Sequence, residues 1–488
     1  MSNVQFLSAS FNSRKFIGKI QTVQSVRVSV KQDIAEALSL GVDSCINSYE
    51  ATAGEVSFYG KTNIRFLYSD GLNLCSSVYN ADFTSSIQSE LIDAESKLTF
   101  DVVMVDSKVD VNANTATLTI LLEVSAYAYT CQQTPYLEGG EDVFLDSRSV
   151  EVLNKANVVA LPFVLDEELT ASRNISTVLI AECNLCANSF TVHEGILNIT
   201  GSGSVRLTYL SDGDVVTDIL PFDFERELEA TDGMAESQLK LRLIPKTTKV
   251  RLDITEGDVN TTFTVEIGVS AQVEITEIGM LDIVTDAYGA DCDFEFVKKT
   301  VTTTLPCGST VCTKHVTSTV PEEESKKPIA AVNVGAVVTN VQSRERSALV
   351  EGVVYSTLLY KGEQGYFAEQ LELPFSQTVD VDYLMPECRS YARVSVMNFT
   401  LDREAEMDLC ITIESEREVT YTVIVDAEQV PFDKSSLPAI EVCLARKGET
   451  LWNLAKSLHT SVDDVLATNP QISNPLEQDA HIVIFNKI

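Results

Sequence analysis

The stretch FTVEIGVSAQVEI, residues 263–275, places an apolar side chain at every second position. One side of the stretch holds Phe263, Val265, Ile267, Val269, Ala271, Val273 and Ile275. The other side holds Thr264, Glu266, Ser270, Gln272 and Glu274. A period of two predicts a β-strand with one buried face. Similar alternation at 118–128 and 407–413 extends this expectation, and the sequence therefore predicts a mainly β chain.

A glycine, a tyrosine and a phenylalanine recur with the spacing G-x7-Y-x14-F. The three sets are Gly60, Tyr68 and Phe83; Gly201, Tyr209 and Phe224; and Gly352, Tyr360 and Phe375. Gly201 follows Gly60 by 141 residues, and Gly352 follows Gly201 by 151. This period is that of a whole domain rather than of a solenoid repeat. Because aromatic residues on alternating strands ordinarily fill the core, we interpret the repeated residues as packing residues rather than ligand contacts.

Turn-rich segments separate the repeats. YLEGGED (136–142), DAYGADCD (286–293) and VPFDKSSLPA (430–439) are the three separators, and PEEESKKP (321–328) reads as an exposed loop. SDG before Leu72 and before Asp214 predicts two hairpin turns, because glycine accepts a positive φ. We predict three tandem β-rich domains over 1–142, 143–292 and 293–438, followed by a small domain over 439–488.

The periodicity changes in the C-terminal segment RKGETLWNLAKSLHTSVDDVLATNP, residues 446–470. Leu451, Leu454, Ala455 and Leu458 have helical spacing, with Thr450 or Glu449 placed to cap the helix. A second helix is predicted from Ser461, paired with Asp464 as in a capping box, to Asn469 before Pro470. Short alternating runs, EVCLAR and HIVIF, flank the two helices. The segment is therefore predicted to be a β-α-α-β unit.

This order closely resembles a LysM domain over nearly all of residues 441–488. The matching residues are Gly448, Glu449, Thr450, Leu451, Trp452, Ala455, Ser461, Val462, Leu466, Asn469 and Pro470. Asp479 and Ala480 stand where the family usually has a glycine-glutamine turn, and Phe485 stands where proline is common. The resemblance implies that N-acetylglucosamine chains or a protein partner bind between two loops. The candidate site residues are Gly448, Glu449, Thr450, Leu451, Trp452, Asn469, Pro470, Gln471 and Ile472. Trp452 is expected either to stack on a ligand or to pack against the sheet.

Charge and hydropathy restrict the partners. The 488 residues include 71 acidic and 36 basic side chains, for a net charge of −35. Such a charge repels phosphate backbones, so nucleic acid is not an expected partner. The N-terminus lacks an apolar leader pattern, and the sequence holds no apolar run of membrane-spanning length. We therefore expect a cytosolic protein without a transmembrane segment.

Eleven cysteines are scattered along the chain, and most are expected to be reduced core thiols. Cys183 and Cys186 have CxxC spacing with His193 nearby, and Cys307 and Cys312 precede His315. A zinc site is conceivable at either cluster. Neither supplies four ligands at standard spacing, and we favour no metal and no cofactor.

Catalytic patterns are not evident. The four histidines, at 193, 315, 459 and 481, lie outside metal-binding and nucleophile-elbow motifs. GSGSV at 201–205 lacks the lysine of a phosphate loop and lies within a strand pattern. We expect a chain that is not an enzyme.

Tandem β-domains with the G-x7-Y pattern and a terminal LysM-like unit together resemble the SPOCS-domain spore coat morphogenetic proteins of the SipL type. The resemblance implies a scaffold in the mother cell, at the forespore surface and in the spore coat. There the LysM domain would dock to a coat-basement morphogenetic ATPase of the SpoIVA type. Self-association through exposed β-strand edges is a further expected contact. The alternative is a peptidoglycan-binding protein, or one that binds another N-acetylglucosamine glycan, that uses the LysM groove.

Overall fold

The protein is built almost entirely of antiparallel strands. The computed structural model describes residues 3–231, 233–234, 237–252, 261–319, 327–363, 365–402, 404–432 and 438–485. Twenty strands and two short helices occur within these ranges, and the prediction of a mainly β chain is confirmed. Neither of these helices is long and apolar enough to cross a membrane. Most of the loop predicted at 321–328 lies outside the described residues.

Eighteen of the strands form three successive groups of six, which we name units 1, 2 and 3. Unit 1 contains β1 (Asn3–Ser29), β2 (Glu36–Thr52), β3 (Glu55–Ser69), β4 (Leu74–Gln88), β5 (Lys97–Asn112) and β6 (Thr115–Glu141). Unit 2 contains β7 (Val143–Thr170), β8 (Thr177–His193), β9 (Ile196–Ser211), β10 (Asp214–Glu229), β11 (Gln238–Leu252) and β12 (Thr262–Gly289). Unit 3 contains β13 (Cys292–Thr319), β14 (Ala330–Arg344), β15 (Ser347–Gly362), β16 (Gly365–Asp380), β17 (Arg389–Leu401) and β18 (Glu404–Pro431).

Each unit has the same pair of three-stranded antiparallel sheets. In unit 1 the sheet orders are β1-β6-β5 and β2-β3-β4, and the corresponding orders recur in units 2 and 3. The two SDG segments connect β3 to β4 and β9 to β10, so both hairpin predictions are confirmed. Most of the separator 136–142 lies in β6, and Asp142 alone forms the turn, at a φ of 56°. The division into domains ending at 142, 292 and 438 stays a prediction.

The repeated glycine and phenylalanine are direct cross-strand neighbours in every unit. Gly60 pairs with Phe83, Gly201 with Phe224 and Gly352 with Phe375. The phenylalanine ring lies against the glycine Cα, where an added Cβ would overlap ring atoms. The aromatic residues of the pattern are all buried, which confirms their interpretation as packing residues. A glycine is therefore needed at this position to admit the ring.

The long alternating strand sits at the centre of a sheet and carries the core. In β12 the seven apolar side chains from Phe263 to Ile275 are all buried. They pack against the second sheet of unit 2, including Leu207 and Tyr209. The equivalent clusters of units 1 and 3 contain the strands around Leu118 and Met407. The period of two thus correctly predicts which face of each strand is buried.

The three units meet around a common centre. Leu153 N of β7 donates to Thr303 Oγ1 of β13 (3.0 Å), which donates to Asn12 O of β1 (2.9 Å). Asn12 Nδ2 in turn donates to Leu153 O (2.9 Å) and closes the ring. Among the described residues, buried apolar clusters shared by all three units lie at three further places. The first contains Phe11, Val152 and Val301, the second Leu38, Leu179 and Ala330, and the third Leu137, Val284 and Ile424. Residues of all three units meet at each place, and Leu38, Leu179 and Ala330 are separated by the same 141 and 151 residues as the repeated glycines. We therefore describe the arrangement of the units as pseudo-threefold.

A small module follows unit 3 and has the predicted β-α-α-β order. Its elements are β19 (Ile440–Ala445), α1 (Leu451–Ser457), α2 (Val462–Thr468) and β20 (Ala480–Phe485). Thr450 Oγ1 accepts from Asn453 N (3.2 Å) and caps α1. Ser461 Oγ accepts from Asp464 N (2.9 Å) and caps α2, as predicted. The helices bury Leu451, Leu454, Ala455 and Val465 against the two-stranded sheet.

Candidate functional site

The first predicted binding loop of the C-terminal module, 448–452, is bonded to the segment just after the second predicted loop, 469–472. Gly448 N donates to Leu476 O (2.8 Å), and Leu476 N donates to Glu449 O (3.0 Å). Leu451 N donates to Asn474 Oδ1 (3.1 Å), which adds a third bond to this segment. Gly448 has a φ of 87°, a conformation that glycine adopts without strain. Neighbouring backbone therefore already uses part of the hydrogen-bonding capacity of the loops.

The nine predicted site residues fall into two groups. Leu451 and Asn469 are buried and hold the module together. Asn469 Nδ2 donates to Val465 O and Val483 O (both 2.9 Å), and Asn469 Oδ1 accepts from Val483 N (2.9 Å). The other seven predicted site residues are exposed or partly exposed: Gly448, Glu449, Thr450, Trp452, Pro470, Gln471 and Ile472. A partner would therefore meet this second group rather than Leu451 and Asn469.

Trp452 faces unit 2. Its indole Nε1 donates to Asp286 Oδ2 (2.9 Å) near the end of β12, and its ring meets Tyr288 edge-on with centroids 4.9 Å apart. Lys456, one turn further along α1, places Nζ 2.6 Å from Asp286 Oδ1. The carboxylate of Asp286 thus accepts from two side chains of one helix. Trp452 thus packs within the chain, but against Asp286 and Tyr288 of unit 2, which the expected packing against the sheet of its own module did not include.

A second set of contacts fixes the end of α1. Tyr288 Oη donates to Thr460 O (2.7 Å), and burial, followed by the charge of Asp286, raises the pKa of this hydroxyl well above its usual range. The ring of buried His459 stacks on Phe432 with centroids 3.7 Å apart. His459 Nε2 also lies 3.5 Å from Asp293 Oδ2. The module is therefore seated on the turn between units 2 and 3.

The positive side chains of the module point in different directions. Arg446 and Lys447 are exposed beside the first loop. Their backbone amides donate to Glu449 Oε2 (3.0 Å) and Asp479 Oδ1 (2.8 Å). Lys456 is engaged with Asp286. A basic rim available to a partner thus consists of Arg446 and Lys447.

The seat of the module was not foreseen from the sequence. Asp286, Tyr288 and Asp293 belong to the segment DAYGADCD, which reads as a turn-rich separator. Tyr288 is fully buried although it lies in this separator. A tyrosine within an acidic turn is the signal that could have marked the segment as a contact surface.

Nine cysteines are free, as expected for most of the eleven, and one pair is not. Cys186 of β8 and Cys410 of β18 form a disulfide across 224 residues of sequence, between units 2 and 3. Cys186 therefore does not act as a thiolate ligand with Cys183. Burial raises the pKa of the Cys183 thiol well above its usual range, which favours the protonated thiol over a thiolate ligand. Sequence spacing could not reveal a partner so far along the chain.

The second cysteine cluster has a different pairing. Cys307 Sγ lies 3.4 Å from Cys388 Sγ, and burial raises the pKa of Cys307 to about 12. His315 Nδ1 lies 2.8 Å from Asp408 Oδ1 rather than joining Cys307 and Cys312. Within the described ranges, no three His, Cys, Asp or Glu side chains are grouped so that they could hold a metal ion.

Comparison with known proteins adds no relative. No protein-family model, no curated protein and no solved structure matches the chain. The case for its function therefore rests on the sequence and the geometry described above.

Proposed function

We propose that this chain is a non-enzymatic spore coat scaffold that acts in the mother cell. On this proposal the C-terminal module, a LysM-like domain, docks to a coat-basement morphogenetic ATPase of the SpoIVA type at the forespore surface. The three units would hold the module at a fixed position, with self-association through strand edges as a further role. The resemblance of the GETLW segment and of the repeated units to SPOCS-domain coat proteins motivates the proposal.

The contact of Trp452 with Asp286 is the observation that favours a protein partner over a glycan. A sugar ring stacks on an aromatic side chain that is free, whereas the indole N–H and the ring of Trp452 already contact Asp286 and Tyr288 inside the chain. The backbone amides of Gly448 and Leu451 are also bonded within the module. A glycan would have to displace these contacts, while a protein can bind the outward side of the loops at Pro470 and Gln471.

The outer face of the module sheet supports the same conclusion. Four large apolar side chains on this face are more than half exposed: Ile440, Val442, Leu444 and Phe485. Adjacent exposed apolar side chains are typical of protein-binding surfaces. With Arg446 and Lys447 nearby, the module offers an apolar surface and a small positive rim in an acidic chain.

Peptidoglycan binding is the second candidate. The bonds that Gly448 and Glu449 make with Leu476 support it, because they hold the first predicted loop against the segment that follows the second, 469–472, and the LysM resemblance implies a glycan groove between those two loops. Such a chain would have to leave the cytosol, and the chemistry of its ligand would be that of N-acetylglucosamine polymers.

A binding experiment with the full chain separates the two candidates. The chain would be applied in parallel to the immobilised candidate ATPase and to insoluble peptidoglycan. Gln471→Trp adds bulk at an exposed position of the second loop, and Leu72→Trp is the control, at a residue of unit 1 that is 84% exposed. The proposal expects retention by the ATPase, loss of retention with Gln471→Trp and no change with Leu72→Trp. Retention by peptidoglycan alone would support the second candidate instead.

A further inference from the structure

A large polar cavity lies between the three units. It has a volume of about 810 Å³, and strands of all three units supply its walls. Exposed residues such as Val103, Val337 and Thr339 line part of it, so the cavity reaches the outer surface. The residues that line the cavity include four with hydroxyl groups: Ser44, Tyr355, Ser390 and Thr412. A cavity of this size is large enough for a small ligand.

Three charged residues at equivalent positions line the cavity. Asp101, Arg242 and Arg393 are separated by the same 141 and 151 residues as the repeated glycines. Each lies three residues before the last residue that precedes a register shift in its strand. These last residues are Met104 in β5, Pro245 in β11 and Val396 in β17. If the same residue type occurred at all three positions, three side chains of the same charge would lie close together between the units. The chain instead supplies two guanidinium groups and one carboxylate.

These three side chains meet in the cavity. Arg242 Nη1 lies 2.6 Å from Asp101 Oδ1, and Arg393 Nε lies 3.9 Å from the same oxygen. Arg393 Nη1 lies 2.7 Å from Glu414 Oε1. The arginine side chains are 27% and 28% exposed, whereas Glu414 is 5% exposed and lies behind Arg393. The cavity surface at this level therefore presents two cations and one anion.

Several donor atoms of the two arginines remain available. In the part of the chain that the structure describes, Arg242 Nε and Nη2 and Arg393 Nη2 make no hydrogen bond. These atoms are also not among the fully enclosed polar atoms without partners. They are therefore at least partly accessible, and both arginines belong to the cavity wall. Guanidinium groups arranged in this way bind planar or tetrahedral oxyanions through paired hydrogen bonds.

Other buried charges nearby are matched among themselves. Arg14 lies 3.7 Å from both Glu274 and Glu416, and its guanidinium also contacts the rings of Tyr127 and Tyr391. Lys240 also lies 3.7 Å from Glu416. Arg14 Nε and Nη1 make no hydrogen bond with any described residue, but both atoms are fully enclosed. Arg242 and Arg393 are therefore the arginines of the cavity wall whose free donors a ligand can reach.

The electrostatics agree with this geometry. Removal from water lowers the pKa of Arg242, and the charge of Arg393 lowers it further, against the opposing effect of Asp101. For Arg393, removal from water is outweighed by the charges of Glu414 and Asp101, and its pKa is instead raised. An oxyanion beside Arg242 would favour its charged form, which burial and the charge of Arg393 disfavour.

We propose that the central cavity is a binding site for a small ligand that carries a phosphate or carboxylate group. Arg242 and Arg393 bind the oxyanion, and Asp101 orients Arg242. The site requires residues from all three units, so it exists only when the units are assembled around their axis. It is independent of the C-terminal module and of its proposed partner.

Equilibrium titration of the full chain tests the proposal with inorganic phosphate in one arm and citrate in the other. We expect saturable binding in at least one arm, and the arm that binds identifies the oxyanion. Arg242→Gln and Arg393→Gln should each weaken binding about tenfold or more, because each removes charge-assisted hydrogen bonds. Arg251→Gln, at a 61% exposed position on the same strand as Arg242, is the matched control and should bind normally.

A second pair of variants avoids the charged cluster. Val103→Trp fills space at a cavity-lining position and should abolish binding, whereas Val111→Trp, at an exposed position on the same strand that does not line the cavity, should not. Circular dichroism and a thermal melt establish that each variant is folded. Absence of binding by the wild-type chain in both arms overturns the proposal. Wild-type affinity in folded Arg242→Gln and Val103→Trp variants also overturns it.

Discussion

Trp452 of the C-terminal module donates its indole N–H to the carboxylate of Asp286, 166 residues earlier in the chain and 2.9 Å away. This contact joins the module to the end of unit 2 and orients helix α1. It leaves the outward side of the loops, at Gly448, Pro470 and Gln471, exposed. The C-terminal module is thus fixed relative to unit 2 by side-chain contacts, in addition to its covalent connection to unit 3.

Trp452→Phe should loosen this seat while it keeps an aromatic ring in place. Loss of a hydrogen bond to a charged acceptor is expected to lower the free energy of local opening of residues 440–485 by about 1.5–3 kcal/mol. Amide hydrogen exchange of the full chain measures this opening. His481→Gln, at an exposed residue of β20, is the control. Unchanged exchange in Trp452→Phe would contradict the account.

Gly60→Ala should destabilise unit 1. The added Cβ would overlap the ring of Phe83, which must then move out of its rotamer, at a cost of roughly 1–3 kcal/mol. Urea unfolding gives the change in the free energy of unfolding. Gly139→Ala is the matched control, since a Cβ there would make only an ordinary contact with Leu145 at 3.7 Å. Equal stability of the two variants would show that the ring does not require the glycine.

Reduction of the Cys186–Cys410 disulfide should lower stability without unfolding any single unit. The bond closes a loop of 224 residues, and breaking such a link is expected to cost about 2–4 kcal/mol. Unfolding of the Cys186→Ser, Cys410→Ser double variant would be compared with that of Cys131→Ser, which changes an exposed free thiol. A double variant as stable as the control would argue against the bond as a link between units 2 and 3.

Asp101 should make stability depend on pH in acid. Burial alone would raise its pKa, but the charges of Arg393 and Arg242 outweigh burial and lower the pKa. The stabilisation that Asp101 contributes is therefore fully present above the pKa of its carboxyl in the unfolded chain, about 4. It is lost as the pH falls through the lower pKa of the folded chain. The Tm difference between wild type and Asp101→Asn should narrow below about pH 4. Asp382→Asn, at a residue whose side chain is 90% exposed, is the control, and a Tm difference for Asp101→Asn that stays constant with pH would contradict this role.

The sequence predicts local features of this fold well. Alternation identifies the buried face of β12, the G-x7-Y-x14-F pattern identifies core residues, and cap residues locate Thr450 and Ser461 at the helix starts. These features depend on side chains close together in the sequence or on one strand. They are therefore visible without knowledge of how the units meet.

Contacts between units are not visible in the same way. The pairings of Cys186 with Cys410, of Asp101 with Arg242 and of Trp452 with Asp286 each join residues more than a hundred positions apart. No local period encodes such a pairing. The offsets of 141 and 151 residues could have aligned Asp101, Arg242 and Arg393, but only the fold brings the three side chains to one cavity.

The most direct measurement is the position of the chain in sporulating cells. A fluorescent fusion of the wild-type chain would be imaged beside fusions of Gln471→Trp and of the control Leu72→Trp. The account predicts a signal around the forespore for the wild type and the control, and a diffuse mother-cell signal for Gln471→Trp at equal protein level. A Gln471→Trp fusion that surrounds the forespore as the wild type does would contradict docking through these loops.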